Sequence, residues 1–151
     1  MRKPLLIATA ALATAAAGCG QGRAQDGGPT VQRSYQVGAF ERIEVAGPFE
    51  VEVRTGGAPS VSASGPEKLM DRLVVEVKGD RLLIHPKRDR GIFNWGSGMR
   101  GKATIAVTAP ALREASIAGS GGISVDKVTG DSFEGSIAGS GDLNLASLQV
   151  Q

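Results

Sequence analysis

From Phe40 onward, apolar residues recur at every second position in short runs: Ile43/Val45, Phe49/Val51/Val53, Val61/Ala63, Val75/Val77, Leu82/Ile84 and Ile105/Val107. A period of two sends one set of side chains inward and leaves charged or small residues outside, which predicts half-buried β-strands. The runs are interrupted by Gly47-Pro48, Gly56-Gly57-Ala58-Pro59, Gly65-Pro66, Gly79-Asp80 and Ala109-Pro110, residues suited to turns. One stretch departs from the period: between Pro66 and Leu73, the residues Leu69, Met70 and Leu73 fall on one helical face, predicting at most two helical turns. A second interruption, Arg88 to Gly101, sets Ile92, Phe93 and Trp95 among glycines and predicts a loop or insertion.

The strongest local signal is a repeat. Glu114–Val125 returns as Glu134–Leu145, twenty residues on, with seven of twelve positions identical. A unit this short cannot close a core alone, so its apolar side chains must be covered by a neighbouring copy. Parallel coils stacked about 4.8 Å apart satisfy that need and pair each strand with its copy. The expected fold is therefore all-β, a β-solenoid in which Ile117 lies over Ile137. Gly119, Ser120 and Gly121 then form a structural corner over Gly139, Ser140 and Gly141, where glycine permits a sharp turn and a larger residue would stack against itself.

The first residues change the picture of location. Arg2 and Lys3 precede an apolar run from Leu5 to Ala17, and Ala16-Ala17-Gly18 stand directly before Cys19. This is the layout of a secretory signal, too short to span a bilayer as a helix. Cys19 is the only cysteine, so it forms no internal disulfide. The residues before it resemble a bacterial lipobox, although Ala16 stands where leucine is usual; that resemblance implies lipidation of Cys19 and a membrane anchor, and Gly20 after it resembles outer-membrane sorting. Ordinary cleavage after Ala24 is the competing reading. Residues 1–18 are thus expected to be the signal, 19–33 a flexible polar tether, and 34–151 the folded domain.

Charge removes one function class. Two of the seventeen basic residues belong to the leader, so fifteen basic face fifteen acidic residues from Cys19 onward. A neutral domain has no global attraction for phosphate polymers, and no nucleic-acid partner is expected. Catalysis is not expected either. Asp126, Asp131, Glu134 and Asp142 form no facing pair, and Glu114 over Glu134 marks a solvated face more readily than a glycosidase dyad. Gly139-Ser140-Gly141-Asp142 resembles a calcium-roll motif only superficially, because that motif recurs every nine residues; no metal and no cofactor are expected. His85, the sole histidine, ends a strand without metal-ligating companions. There is neither a phosphate loop nor a nucleophile elbow.

Charge is lopsided only from Arg81 to Lys102, where Arg81, Lys87, Arg88, Arg90, Arg100 and Lys102 face Asp89 alone, with Phe93 and Trp95 among them. The candidate surface-contact residues are Arg88, Arg90, Phe93, Trp95, Arg100 and Lys102, which would meet anionic envelope glycans or lipid headgroups, Trp95 stacking on a sugar. The competing reading is a solvated loop whose aromatics plug an edge of the solenoid.

Phe40–Val53, then Glu67–Leu73 with Val75–Ile84, then Val107–Leu112 leading into Ile117–Ile123, resemble in order and spacing the auto-transporter adhesin head domain, or GIN domain, over nearly all of Phe40 to Gln151. The resemblance implies a right-handed parallel β-helix on a secreted protein or lipoprotein, without an established biochemical activity. It also implies further coils, so the domain is expected to be incomplete at its C-terminal side. The function expected is a non-enzymatic, exported envelope module of the binding or adhesion type, with an envelope glycan or protein as partner. The alternatives are a ligand-free structural or stress-related envelope protein and, less favoured, a carbohydrate-active enzyme.

Overall fold

A computed structural model describes residues 28–88 and 101–150. The strands in chain order are β1 (Thr30–Tyr35), β2 (Arg42–Ala46), β3 (Phe49–Thr55), β4 (Ser60–Pro66), then helix α1 (Glu67–Met70), β5 (Leu73–Lys78), β6 (Arg81–Pro86), β7 (Ala103–Ala109), β8 (Glu114–Gly119), β9 (Gly122–Val125), β10 (Val128–Gly130), β11 (Glu134–Gly139), β12 (Asp142–Leu145) and β13 (Leu148–Val150). They form a six-stranded sheet β1-β4-β7-β3-β9-β12, a five-stranded sheet β11-β8-β2-β6-β5, and the pair β10-β13. The fold is all-β with mixed sheets.

The repeat pairs in register. β8 and β11 run parallel with Ile117 beside Ile137, β9 and β12 set Ile123 beside Leu143, and β10 and β13 set Val128 beside Leu148. Each twenty-residue unit thus lays one strand on each of three sheets. Parallel pairing continues inward through β2 and β6 and through β3 and β7. Inward side chains therefore line up across strands: Ile84, Val45, Ile117 and Ile137 in one row, and Ile105, Val51, Ile123 and Leu143 in another. All of these but the two in the last unit are essentially inaccessible, whereas Ile137 is 48% exposed. Burial of each unit comes from the unit stacked on it, and β11 carries only one neighbour.

The opposite end departs from the all-parallel expectation. β5 pairs antiparallel with β6, and β4 antiparallel with both β7 and β1. The cause for β5 and β6 is local: the Gly79-Asp80 link, with Gly79 at φ +64°, is a two-residue hairpin, whereas a parallel pair requires a crossover. The one-turn helix α1 buries Leu69 and Met70 over this end of the core. Arg33 donates from Nη1 to the Met70 carbonyl at 2.9 Å and pairs with Asp71, closing the same end. Strand β1 begins at Thr30, so residues 30–33, expected to be tether, are part of the sheet, and Val31 and Tyr35 pack against the core.

Candidate functional site

The outer face of the five-stranded sheet carries a charged row. Register places Lys78, Arg81, Arg42, Glu114 and Glu134 side by side on five successive strands. Arg81 lies 3.1 Å from Glu44 Oε2 and 3.0 Å from Glu114 Oε1, bridging two strands, while Arg42 approaches Asp80 at 3.3 Å and Glu114 at 3.7 Å. Glu114 is therefore committed to arginines. Glu134, stacked on it, has no side-chain partner among the described residues.

At the corner where this row begins, two neighbouring surface depressions open. The larger, about 390 Å³, is lined by Arg42, Arg113, Glu114, Ser132, Phe133 and Glu134. The smaller, about 160 Å³, shares Arg113 and Ser132 and adds Asp131 and Thr129. At the repeat interval, Ser132 and Phe133 answer to Leu112 and Arg113. Leu112 is buried, whereas Ser132 is exposed and the half-buried Phe133 packs against the core beside Gly135. Arg113 holds Glu41 through Nε at 3.0 Å.

At the far edge of the same sheet, Glu76 lies 2.8 Å from Lys78 Nζ and 3.2 Å from His85 Nε2. Lys78 first, and His85 next, hold the Glu76 carboxyl below its usual range. A depressed carboxylate stabilises the fold above its ordinary pKa, and that contribution disappears as pH falls through the lowered value. Glu76→Gln is accordingly expected to lower stability slightly at neutral pH and to converge with wild type as pH falls, so that the acid limb is flatter; the effect is small because the group is exposed. Urea midpoints collected from pH 2.5 to 7 check this; an acid limb identical to wild type would refute it.

Of the corner residues named from sequence, Gly119 and Gly139 are paired at the ends of β8 and β11. Gly119 and Gly139 take φ of +131° and +124°, and Ser140 N donates to the Gly119 carbonyl at 3.0 Å, joining one corner to the next. Asp126 accepts from Thr55 N at 3.0 Å and so ties a turn to β3. His85 sits near the end of β6, with Nδ1 2.9 Å from the Pro86 carbonyl. In the basic segment, Arg88 and Lys102 are exposed, and Lys102 lies 3.5 Å from Glu50. Arg90, Phe93, Trp95 and Arg100, like Cys19, lie outside the described residues. Among the described residues, no group of three or more His, Cys, Asp or Glu is placed to hold a metal ion, and no helix is long and apolar enough to cross a membrane. The sequence reading did not single out Phe133 or Arg113; the signal available was the pair of mismatches in the repeat at Leu112/Ser132 and Arg113/Phe133.

Residues 39–151 match the family described as "Putative auto-transporter adhesin, head GIN domain". Among solved structures, the chain is similar to a "putative adhesin" from Bacteroides fragilis, at 21% identity and TM-score 0.69, over 82% of this chain and 56% of that one. It is also similar to a "Putative lipid binding protein" from Parabacteroides distasonis, at 27% identity and TM-score 0.64, over 80% and 50% of the two chains. A "putative adhesin" from Parabacteroides merdae matches at 14% identity and TM-score 0.60, over 78% and 53%. The chain spans about half the length of these structures. No curated protein matches it.

Proposed function

Because the chain belongs to the auto-transporter adhesin head GIN domain family, we propose that it is an exported, non-enzymatic module of the cell envelope that binds a surface ligand of the adhesion type. The supporting observation is the in-register stack, which gives the chain long outward rows of residues on a rigid scaffold instead of an enclosed pocket. Such a surface suits an extended partner. The scaffold is read as a right-handed parallel β-helix closed at its first end by antiparallel strands: β8 and β11 are parallel neighbours joined by a crossover through β9 and β10, and such connections are overwhelmingly right-handed. The carboxylates in the repeat support the non-enzymatic reading, since Glu114 is held by arginines and Asp126 by a turn.

Residues 1–18 act in this reading as the export signal, and lipidation of Cys19 places the domain at a membrane face. A second reading, direct contact with lipid, is favoured by the similarity to the Parabacteroides distasonis protein and by the basic excess from Arg81 to Lys102.

Full-length chain displayed on cells and challenged with isolated envelope polysaccharide, host-type glycans and anionic vesicles tests these readings. Saturable binding to a glycan, lost in a variant that does not fold, is the expected result. Binding to anionic vesicles alone would favour the lipid reading. Binding to nothing presented, with displayed protein folded, would leave a ligand-free structural role and overturn the proposal.

A further inference from the structure

We propose that the capped first end of the stack, around α1, is a membrane-facing surface that meets anionic lipid headgroups and so turns the later coils away from the bilayer. The inference rests on the export-and-anchor reading and is independent of the ligand that the outward rows bind.

Three stretches far apart in sequence converge on α1. The chain enters the domain there: Glu67 N donates to the Pro29 carbonyl at 2.9 Å, and Gly28 lies beside Glu67. The end of β6 arrives from another side, Lys87 N donating to the Arg72 carbonyl at 2.7 Å. The chain then returns to β7 at the start of the helix, where Gly101 packs on Pro66 and the Lys102 carbonyl approaches Gly65.

This convergence gathers positive charge. Arg33 pairs with Asp71 and Lys102 with Glu50, so those charges cancel, as do Lys78 and Glu76 on β5. Lys68, Arg72, Lys87 and Arg88 then stand against Glu67 alone among the described residues of the cap, and all five are exposed. The surplus is the same however these side chains pair with one another. Farther along the stack the sign reverses: from Glu114 to Val150, the acids Glu114, Asp126, Asp131, Glu134 and Asp142 outnumber Lys127, the one basic residue there.

A positive end and a negative remainder give the described domain a charge polarity along its axis, which an anionic bilayer turns cap-first. The tether favours a bilayer over a soluble polyanion as the partner. Cys19 lies ten residues before Pro29, so a lipid on it keeps the cap within roughly 35 Å of the membrane at full stretch. The tether also enters at the basic end, not at the acidic coils. Leu69 and Met70 are buried, so the contact is made by charge and not by an inserted apolar side chain of the helix.

The full chain carrying Cys19→Ser, which takes no lipid, is titrated with vesicles of phosphatidylcholine alone and with about 30% phosphatidylglycerol added. Every variant shares the same first 27 residues, so their contribution cancels in the comparison. Tighter binding to the anionic vesicles is expected, lost as salt rises from about 0.05 to about 0.3 M. Lys87→Gln with Arg88→Gln is expected to weaken it roughly tenfold at unchanged Tm, and Arg113→Gln with Lys127→Gln, the same charge removed from the later coils, to leave it within about twofold. In anionic nanodiscs doped with a gadolinium-chelate lipid, amides of residues 66–72 and 87–88 are expected to broaden and those of 114–125 to stay sharp. Equal effects of the two double variants, equal binding to both vesicles, or broadening strongest at 114–125 would overturn the surface. Soluble polygalacturonate bound as tightly, with the same dependence on Lys87 and Arg88, would assign it to an acidic polymer and overturn the membrane partner. Labelled palmitate fed to producing cells reports on Cys19 alone, so failure of the anchor reading and failure of this surface give different results.

Discussion

Gly121→Ala is expected to destabilise the domain by about 3 kcal/mol or more, among the larger effects a single methyl group can have. Gly121 is buried at the corner between β8 and β9. A Cβ there would sit 2.7 Å from the Gly47 carbonyl oxygen and 2.9 Å from the Phe49 nitrogen, and closer still to the Phe49 carbonyl oxygen. These are main-chain atoms of the chain between β2 and β3, fixed by the pairing of those strands with their partners, so they cannot rotate away as a flexible side chain would. The methyl group must force the paired strands apart and weaken the pairing on both sides of the turn. Gly38→Ala is the control: no atom lies within 4 Å of the added carbon, and the change is expected to stay within about 0.5 kcal/mol. Chemical denaturation of both variants checks the contrast; a Gly121→Ala protein as stable as Gly38→Ala would show that the two backbones do not approach so closely.

Ile117→Ala and Ile137→Ala form the second large contrast. The two residues occupy the same place in successive repeats and lie side by side across β8 and β11. Ile117 is fully buried, so truncation leaves a cavity as well as losing transfer free energy, and a cost of about 2–5 kcal/mol is expected. Ile137, 48% exposed and covered from one side only, should cost about 1 kcal/mol or less. Two identical substitutions in nearly identical sequence thus differ because of their neighbours. Equal costs, measured by urea unfolding, would contradict the burial scheme.

Much of the fold was legible because a period of two and a repeat of twenty residues both act through the backbone. Ile43/Val45, Val51/Val53 and Ile105/Val107 lie in strands with their side chains inward, and the repeat pairs with itself as its identical positions require. The antiparallel end was less legible. Gly79-Asp80 carries the hairpin signal, but the repeat's parallel logic does not extend to β4 and β5, whose partners are set by connection length and by α1. Strand β1 was missed because Arg33 occupies the position between Val31 and Tyr35 where an apolar residue would continue the alternation. There the guanidinium is drawn to Met70 O and Asp71, partners that only the tertiary fold brings near.

The candidate site was less legible for a related reason. Its charged row is assembled one residue per strand, so Arg81, Arg42 and Glu114 are distant in sequence yet adjacent in space. Phe133 stands out only when the two repeats are laid over one another and the mismatches, rather than the identities, are read. The basic segment was conspicuous in sequence because its charges are contiguous, but contiguity says nothing of what they face.

Methyl-to-methyl nuclear Overhauser effects in a protein labelled at isoleucine and valine test the stacking most directly. The account predicts contacts in sequence along one row, Ile84 to Val45, Val45 to Ile117 and Ile117 to Ile137, with Val45 and Ile137 showing none to each other. A spectrum in which the Ile117 methyls contact Val45 but never Ile137, or in which Ile137 contacts Val45 directly, would contradict it.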